Sequence, residues 1–255
     1  MTLKGINSDN LNEWFDAHIE QAEPPLEFSL ITGGHSNLTF RVEDSRGSKF
    51  VLRRPPTGAV IATAHDMERE HRIISALAPT SVPVPIALGL CEDESVNEAP
   101  FYVMDFVEGY VLTDADITAE KFDREARGQI GEEVIQVLSD LHRVVPRDIG
   151  LGELGREEAY IPRQLKRWKT QWEKTKTREL PIMDEVYERL QSGVPEQQAA
   201  AIVHGDYRLG NMLTSPEGRI AAVLDWELCT LGDPLADLGY ILNNWSDEDE
   251  LLPGG

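Results

Sequence analysis

The spacing of apolar residues changes once along this chain, and that change limits the folds open to it. Up to residue 107, most apolar stretches are short and are separated by turns rich in glycine, proline or polar residues. Beyond that point, apolar residues recur mainly at helical intervals. The pattern predicts an α+β chain with two lobes: an N-terminal lobe over residues 1–107 built on an antiparallel sheet, and a mainly helical lobe over residues 108–255.

The first lobe is predicted to contain two helices and five strands. An amphipathic helix after a cap at Ser8 opens the chain, and the Pro24-Pro25 pair stops it. A second helix is expected from about Thr63 to Leu77. The strands are expected at residues 26–31, 38–42, 50–53, 86–90 and 101–107.

The second lobe is predicted to be helical around one strand pair. A long buried stripe, which runs from Phe122 to Leu141, follows a candidate cap at Thr118. Further helices are expected at residues 161–174 and 183–190, and a hairpin joins strands at residues 211–214 and 219–224.

Charge and cysteine content exclude several classes of function. The chain has 45 acidic and 24 basic residues and a formal net charge of -21, which argues against nucleic acid as a partner. Its two cysteines show no metal-ligand or redox spacing, so a reducing compartment is expected. The first 20 residues do not resemble a signal peptide, and no apolar run is long enough to span a membrane. These features predict a cytoplasmic protein.

The chemically informative segment is His204–Asn211, which has the spacing H-x-D-x-x-x-x-N. With this spacing, Asp206 can accept the proton of a substrate hydroxyl, and Asn211 can reach the metal that neutralises a transferring phosphate. Asp225 follows an apolar strand and would supply a second, charged Mg²⁺ ligand. The alternative is that these residues only form turns, which Asp and Asn favour. His204 is interpreted as structural.

The segments Leu224–Glu227 and Gly232–Leu238 extend this pattern, and together they resemble the aminoglycoside phosphotransferase and choline kinase family. The resemblance is greatest to the branch associated with acyl-CoA dehydrogenases, which has segments similar to residues 33–39 and 50–56. It implies a two-lobed, protein-kinase-like fold, with ATP between the lobes and Mg²⁺ as the metal. It also implies that Asp237 braces the catalytic loop, whereas Asp233 is interpreted as a helix cap.

The resemblance also implies nucleotide contacts in the first lobe. The loop with Gly33, Gly34 and Ser36 would contact the ATP phosphates, although a Gly-Gly pair can equally form a plain hairpin turn. Arg53 would hold the α- and β-phosphates in the place where most kinases have lysine; a solvated arginine at a strand end is the alternative. Asp105 and Val107 would lie in the hinge that recognises adenine, if this segment is more than a buried strand.

Helical periodicity places Glu70 where it needs a partner, and the resemblance implies that this partner is Arg53. Glu70 falls in the middle of the apolar stripe of the second helix, where a carboxylate needs a partner, whereas Glu68 lies on the opposite face. A pair between Arg53 and Glu70 is therefore expected. Arg208, inside the catalytic loop, is either a contact for an anionic substrate or a surface arginine.

The predicted function is transfer of the ATP γ-phosphoryl group to a hydroxyl of a small molecule that is aminoglycoside-like, choline-like or hydroxyacyl. The alternative is a kinase-like module that binds a nucleotide or a partner protein without turnover, and Arg53 is the feature that favours it. Members of the family usually continue through helices that help to wall the acceptor site. The end at Gly255 is therefore interpreted as a truncation or a short natural form.

Overall fold

Five antiparallel strands form the main sheet of the protein, in the order β1-β2-β3-β5-β4. The computed structural model describes residues 3–31, 37–58, 66–243 and 245. All five strands were predicted, to within two residues at each end, and the α+β fold class is confirmed. The strands are β1 (Glu27–Leu30), β2 (Leu38–Glu43), β3 (Lys49–Arg54), β4 (Ala87–Cys91) and β5 (Phe101–Asp105).

The chain divides into two compact units. The first comprises Met1–Val134 and Leu209–Glu227, and the second comprises Ile135–Arg208 and Leu228–Gly255. The chain therefore enters each unit twice, and it passes from the second to the first between Arg208 and Leu209. The lobe boundary between residues 107 and 108 remains a prediction.

One apolar cluster lies between the sheet and the opening helix, α1 (Ser8–His18). Because side chains alternate along a strand, alternate residues of the central strands, among them Phe40, Phe50 and Phe101, enter this cluster. The predicted cap at Ser8 is wrong by one residue: the Asn7 side chain accepts the hydrogen bond from the Asn10 amide, and Ser8 begins the helix. The members of the cluster include Leu11, Trp14, Phe15, Phe40, Phe50, Leu52 and Phe101.

Helix α2 (Met67–Leu77) contacts β4 and β5. Asp66 caps it by accepting from the Arg69 amide at 2.9 Å. The predicted start at residue 63 lies outside the described residues. The buried face of the helix contains the charged Glu70 among its apolar residues, as the periodicity predicted.

The long helix expected after Thr118 is instead two helices, α4 (Ala115–Lys121) and α5 (Arg124–Arg143). Thr118 lies inside α4 and caps nothing, so that prediction is wrong. The caps are two aspartates: Asp114 accepts from the Ile117 amide, and Asp123 accepts from the Ala126 amide. The predicted stripe is nevertheless buried from Ile130 to Leu141.

Two short strand pairs complete the described fold. In the first unit, β7 (Met212–Thr214) pairs with β8 (Ile220–Val223), as predicted. In the second unit, β6 (Ala201–Val203) pairs with β9 (Thr230–Gly232), a pair that was not predicted. In the described part of the chain, no helix has the length and apolar content needed to cross a membrane. The remaining helices are α3 (Glu94–Asn97), α6 (Tyr160–Thr175), α7 (Pro181–Ser192) and α8 (Leu235–Asn243).

Candidate active site

The segment His204–Arg208 follows β6 in the second unit and is held by an aspartate of α8. The Asp237 carboxylate accepts hydrogen bonds from the backbone amides of His204 at 2.8 Å and Gly205 at 2.9 Å. The Nε2 atom of His142 lies 3.2 Å from the same carboxylate. Asp237 therefore braces the loop through the backbone, as predicted. Asp233 also has its predicted role, because it accepts from the Leu235 amide at the start of α8.

Backbone geometry explains two other residues of this loop. Gly205 has φ +87°, and a Cβ atom there would lie 3.0 Å from the Cβ of Leu228, so only glycine fits without strain. The His204 ring is buried, and its Nδ1 accepts from the Asp206 amide at 3.2 Å. His204 thus stabilises the turn that presents Asp206, in agreement with its structural interpretation.

Among the described residues, the side chains of Arg208 and Tyr240 donate to the Asp206 carboxylate. The Nε atom of Arg208 lies 3.4 Å from Asp206 Oδ1, so Arg208 has a partner within its own loop. The Tyr240 hydroxyl donates to the same carboxylate; burial raises the pKa of Tyr240 to about 12, and this hydrogen bond contributes to the rise. Tyr240 was missed by sequence analysis. It lies three residues after Asp237 and therefore shares a face of α8 with it, which is a signal that could have identified it.

In the first unit, Arg53 of β3 forms the predicted pair with Glu70 of α2. Strand register places Arg53 opposite Tyr102 of β5. The Arg53 Nε donates to Glu70 Oε2 at 2.9 Å, and the Tyr102 hydroxyl donates to the same oxygen at 3.1 Å. Glu68 is exposed, as expected. Tyr102 was not predicted to take part, because only strand pairing brings it beside Arg53.

Burial sets the electrostatics of this group. Burial raises the pKa of the Glu70 carboxyl group, and the guanidinium of Arg53 opposes that rise. For Arg53, burial acts to lower the pKa, but Glu70 and Asp225 outweigh it and hold the pKa above its ordinary value. Burial and the Glu70 carboxylate raise the pKa of Tyr102 well above its usual range. The group therefore contains a permanently charged guanidinium and a neutral phenol.

The β7-β8 hairpin brings Asn211 and Asp225 to the same end of the strand pair. The Leu224 amide donates to the Asn211 carbonyl at 2.8 Å, one residue before Asp225. Asp225 has φ +67°, a conformation that aspartate tolerates better than most residues and that recurs at functional sites. Its Oδ1 accepts from the Arg53 Nη2 at 2.5 Å. Arg53, a predicted phosphate-binding residue, thus donates directly to Asp225, a predicted metal ligand.

A third carboxylate, Glu227, belongs to this group and was missed by sequence analysis. Glu70, Asp225 and Glu227 each place one oxygen within 4.8 Å of the others. Glu227 Oε2 also accepts from the Asn37 side chain at 3.3 Å. Glu227 could have been identified in the sequence from its position two residues after Asp225, beyond the buried Trp226.

The remaining predicted site residues lie in the segment after β1 and at the end of β5. Gly33, Gly34 and Ser36 lie outside the described residues. Asp105 ends β5, and its side chain accepts from the Ile86 amide at 2.6 Å, so this carboxylate links β5 to the start of β4. Val107 lies two residues beyond. Adenine recognition by Asp105 and Val107 remains a prediction. Asp206 belongs to the second unit, whereas Asn211 and Asp225 belong to the first.

Residues 27–254 match the protein family described as the phosphotransferase enzyme family. The chain is 40% identical to acyl-CoA dehydrogenase family member 10 of Mus musculus over 218 residues, which cover 85% of this chain and 20% of that protein. The chain spans 20–30% of the length of this and other acyl-CoA dehydrogenase relatives that it matches.

Solved structures give the same fold. A crystal structure of a candidate aminoglycoside phosphotransferase from Ralstonia eutropha has a TM-score of 0.80 and 38% identity, and the match covers 96% of this chain and 71% of that one. A ternary complex of an aminoglycoside phosphotransferase with streptomycin and ATP has a TM-score of 0.64 and 17% identity, over 93% of this chain and 76% of that one. The kinase-like two-lobed fold class is therefore confirmed.

Proposed function

Because the chain belongs to the phosphotransferase enzyme family, we propose that it transfers the γ-phosphoryl group of ATP to a hydroxyl group of a small molecule. The observation that carries this proposal is the position of Arg53, which donates to both Glu70 and Asp225. A buried cation held beside metal-binding side chains is suited to receive the phosphates of a nucleotide. The ATP complex of the relative with the same fold supports the choice of nucleotide.

In this proposal, Asp206 orients the acceptor hydroxyl and takes its proton. The acceptor oxygen forms a bond to the γ-phosphorus while the bond to the β-γ bridging oxygen breaks, and ADP leaves. Arg53 contacts the α- and β-phosphates. Backbone amides around Gly33 and Gly34, with the Ser36 hydroxyl, contact the phosphates, and the segment from Asp105 to Val107 contacts the adenine. Tyr240 and Arg208 orient the Asp206 carboxylate by donating to it.

The donor set fits Mg²⁺. Asn211 offers an amide oxygen and Asp225 a carboxylate oxygen, the ligand types that this hard cation prefers. Beside Asp225, Glu70 Oε1 is buried without a hydrogen-bond partner among the described residues, so this oxygen is available to a further electropositive group. In the proposal, Asn211 and Asp225 hold the ion, which neutralises charge on the phosphates when it is bound.

The acceptor is proposed by class. One protein with this fold forms a complex with streptomycin and another a complex with kanamycin, which supports testing amino sugars. The similarity to an acyl-CoA dehydrogenase family member supports testing hydroxylated acyl compounds as well. Choline and related amino alcohols complete the panel.

The test is an ATP-depletion assay with and without Mg²⁺, run across this panel. We expect Mg²⁺-dependent turnover with at least one acceptor, and a loss of about a hundredfold or more in kcat for Asp206→Asn. Asp116→Asn, an exposed aspartate in α4, is the matched control and should retain activity. Full activity of Asp206→Asn would refute the assigned base. Nucleotide binding without turnover on any acceptor would favour the binding-module alternative.

A further inference from the structure

We propose that Glu70, Asp225 and Glu227 form a divalent-cation site that binds its ion before any nucleotide arrives, with Glu70 as a direct ligand. The inference deepens the proposed function and rests on it only for the role of the bound ion.

The first observation is the convergence of three carboxylates in one compact unit. Each places an oxygen within 4.8 Å of the other two, and none of the three is exposed: Glu70 is buried, and Asp225 and Glu227 are half-buried. Carboxylate oxygens are the ligands that Mg²⁺, Mn²⁺ and Ca²⁺ prefer. Oxygens at this separation can coordinate the same ion from different sides.

The second observation is independent of the first and concerns the two oxygens of Glu70. Oε2 accepts from both Arg53 and Tyr102. Oε1 is buried and has no hydrogen-bond partner within the described residues, and the whole side chain is only 3% exposed. A buried carboxylate oxygen without a partner is unfavourable, because water no longer solvates it. A cation at this oxygen would remove that cost.

The contacts of Arg53 leave coordination positions available. The guanidinium donates hydrogen bonds to Oε2 of Glu70 and to Oδ1 of Asp225, which is one oxygen of each carboxylate. A planar guanidinium can bridge two carboxylates in this way without covering their second oxygens. Arg53 and a metal ion are therefore compatible at the same carboxylates.

Charge balance favours an ion of charge +2. The three carboxylates bring three negative charges, and Arg53 compensates one of them. Acidic side chains thus outnumber the basic one in this group of four, and a cation of charge +2 would reduce the repulsion between neighbouring carboxylates. The Asn37 side chain, which donates to Glu227, adds a dipole but no charge.

The test measures binding of Mn²⁺ to the nucleotide-free protein by the decrease of the free-ion signal in electron paramagnetic resonance. Mn²⁺ takes oxygen ligands like Mg²⁺ and is directly visible. We expect one tight site in the wild type, and at least a tenfold weaker site in both Glu70→Gln and Glu227→Gln. Glu68→Gln, an exposed glutamate on the same helix, is the matched control and should bind Mn²⁺ like the wild type.

Two results would overturn the inference. One is the absence of Mn²⁺ binding without nucleotide. The other is loss of binding in Asn211→Ala with wild-type binding in Glu70→Gln, which would assign the ion to Asn211 and Asp225 alone. If Glu70→Gln does not fold, as judged by circular dichroism, the less buried Glu227→Gln decides. Mn²⁺ binding that requires Glu70, in a protein that transfers no phosphate, would retain this inference and reject the proposed function.

Discussion

Arg53 departs from the expectation that the resemblance to kinases sets, because that resemblance predicts a lysine at this position. An ammonium group is a point charge, whereas a guanidinium presents several donors in one plane. In this chain, the guanidinium of Arg53 donates to Glu70 and to Asp225 at the same time, and the arginine side chain is only 13% exposed. Removal of one partner from a buried pair of this kind costs about 3–5 kcal/mol. The orientation of Arg53 therefore depends on Glu70.

We expect Glu70→Ala to weaken nucleotide binding by about tenfold or more, equivalent to about 1.4 kcal/mol. Without Glu70, Asp225 is the one carboxylate partner left to the Arg53 guanidinium among the described residues, so the orientation proposed for phosphate contact would no longer be fixed. Titration calorimetry with ADP in the presence of a chelator measures this effect without any contribution from metal ions.

The matched control is Glu68→Ala on the exposed face of α2, which should bind ADP like the wild type. Equal losses in the two variants would contradict the role given to the Arg53-Glu70 pair.

Among the structural elements, the turn between β2 and β3 depends on one buried carboxylate. Asp44 Oδ1 accepts from the amides of Arg46 and Ser48, at 2.9 and 2.7 Å, and its Oδ2 accepts from the Glu23 amide at 3.0 Å. Burial acts to raise the pKa of Asp44, but these backbone donors outweigh it and lower the pKa below its ordinary value of 3.8. The turn that orients β3 is therefore stabilised by the charged form of Asp44.

We expect Asp44→Asn to lower the Tm at pH 7 by roughly 2–4 °C, the shift that the loss of about 1 kcal/mol produces in a chain of this size. An asparagine keeps one acceptor but replaces the oxygen that receives the Glu23 amide with a donor. Because the folded-state pKa is lowered, the contribution of Asp44 is fully present above pH 3.8. It is lost as the pH falls through the folded-state pKa.

The difference in Tm between the wild type and Asp44→Asn should therefore narrow below about pH 4, as measured by thermal melts across the acid range. Asp16→Asn, on the exposed side of α1, is the control and should melt like the wild type at pH 7. A difference that grows as the pH falls would refute this account.

For the whole molecule, the dominant physical property is a formal net charge of -21. Self-repulsion among exposed carboxylates destabilises a folded chain, and salt screens it. We expect the Tm to rise by a few degrees between about 20 and 300 mM NaCl, because the screening length falls from roughly 20 Å to below 10 Å.

Differential scanning fluorimetry measures this shift, with sucrose of matched osmolality as the control for effects unrelated to charge. A fall in Tm with added salt would indicate that attractive ion pairs outweigh the net repulsion.

The sequence alone determined the features that depend on local spacing. Alternating and helical periods predicted the strands of the main sheet, and the same periods placed Glu70 on the buried face of α2. The spacing within His204–Asn211 identified Asp206 and Asn211 as the residues to test. The predictions of the strands and of the buried position of Glu70 succeeded because periodicity and turn chemistry are properties of neighbouring residues, whereas the roles of Asp206 and Asn211 remain predictions. Helix boundaries were less accurate, since capping by Asp114 and Asp123 outweighed the apolar stripe across the break at Phe122.

Only the tertiary structure decided which residues, far apart in the sequence, lie beside the same carboxylate. Strand register brought Tyr102 to Glu70, the β7-β8 hairpin brought Asp225 to Arg53, and Glu227 joined them through a local turn. Such contacts depend on register and on chain reversal, which fix the positions of residues far apart in sequence and leave no periodic signal. The sequence therefore determined which chemical groups this protein has. The tertiary structure decided that Arg53 would bridge two carboxylates and that one buried oxygen of Glu70 would lack a partner among the described residues.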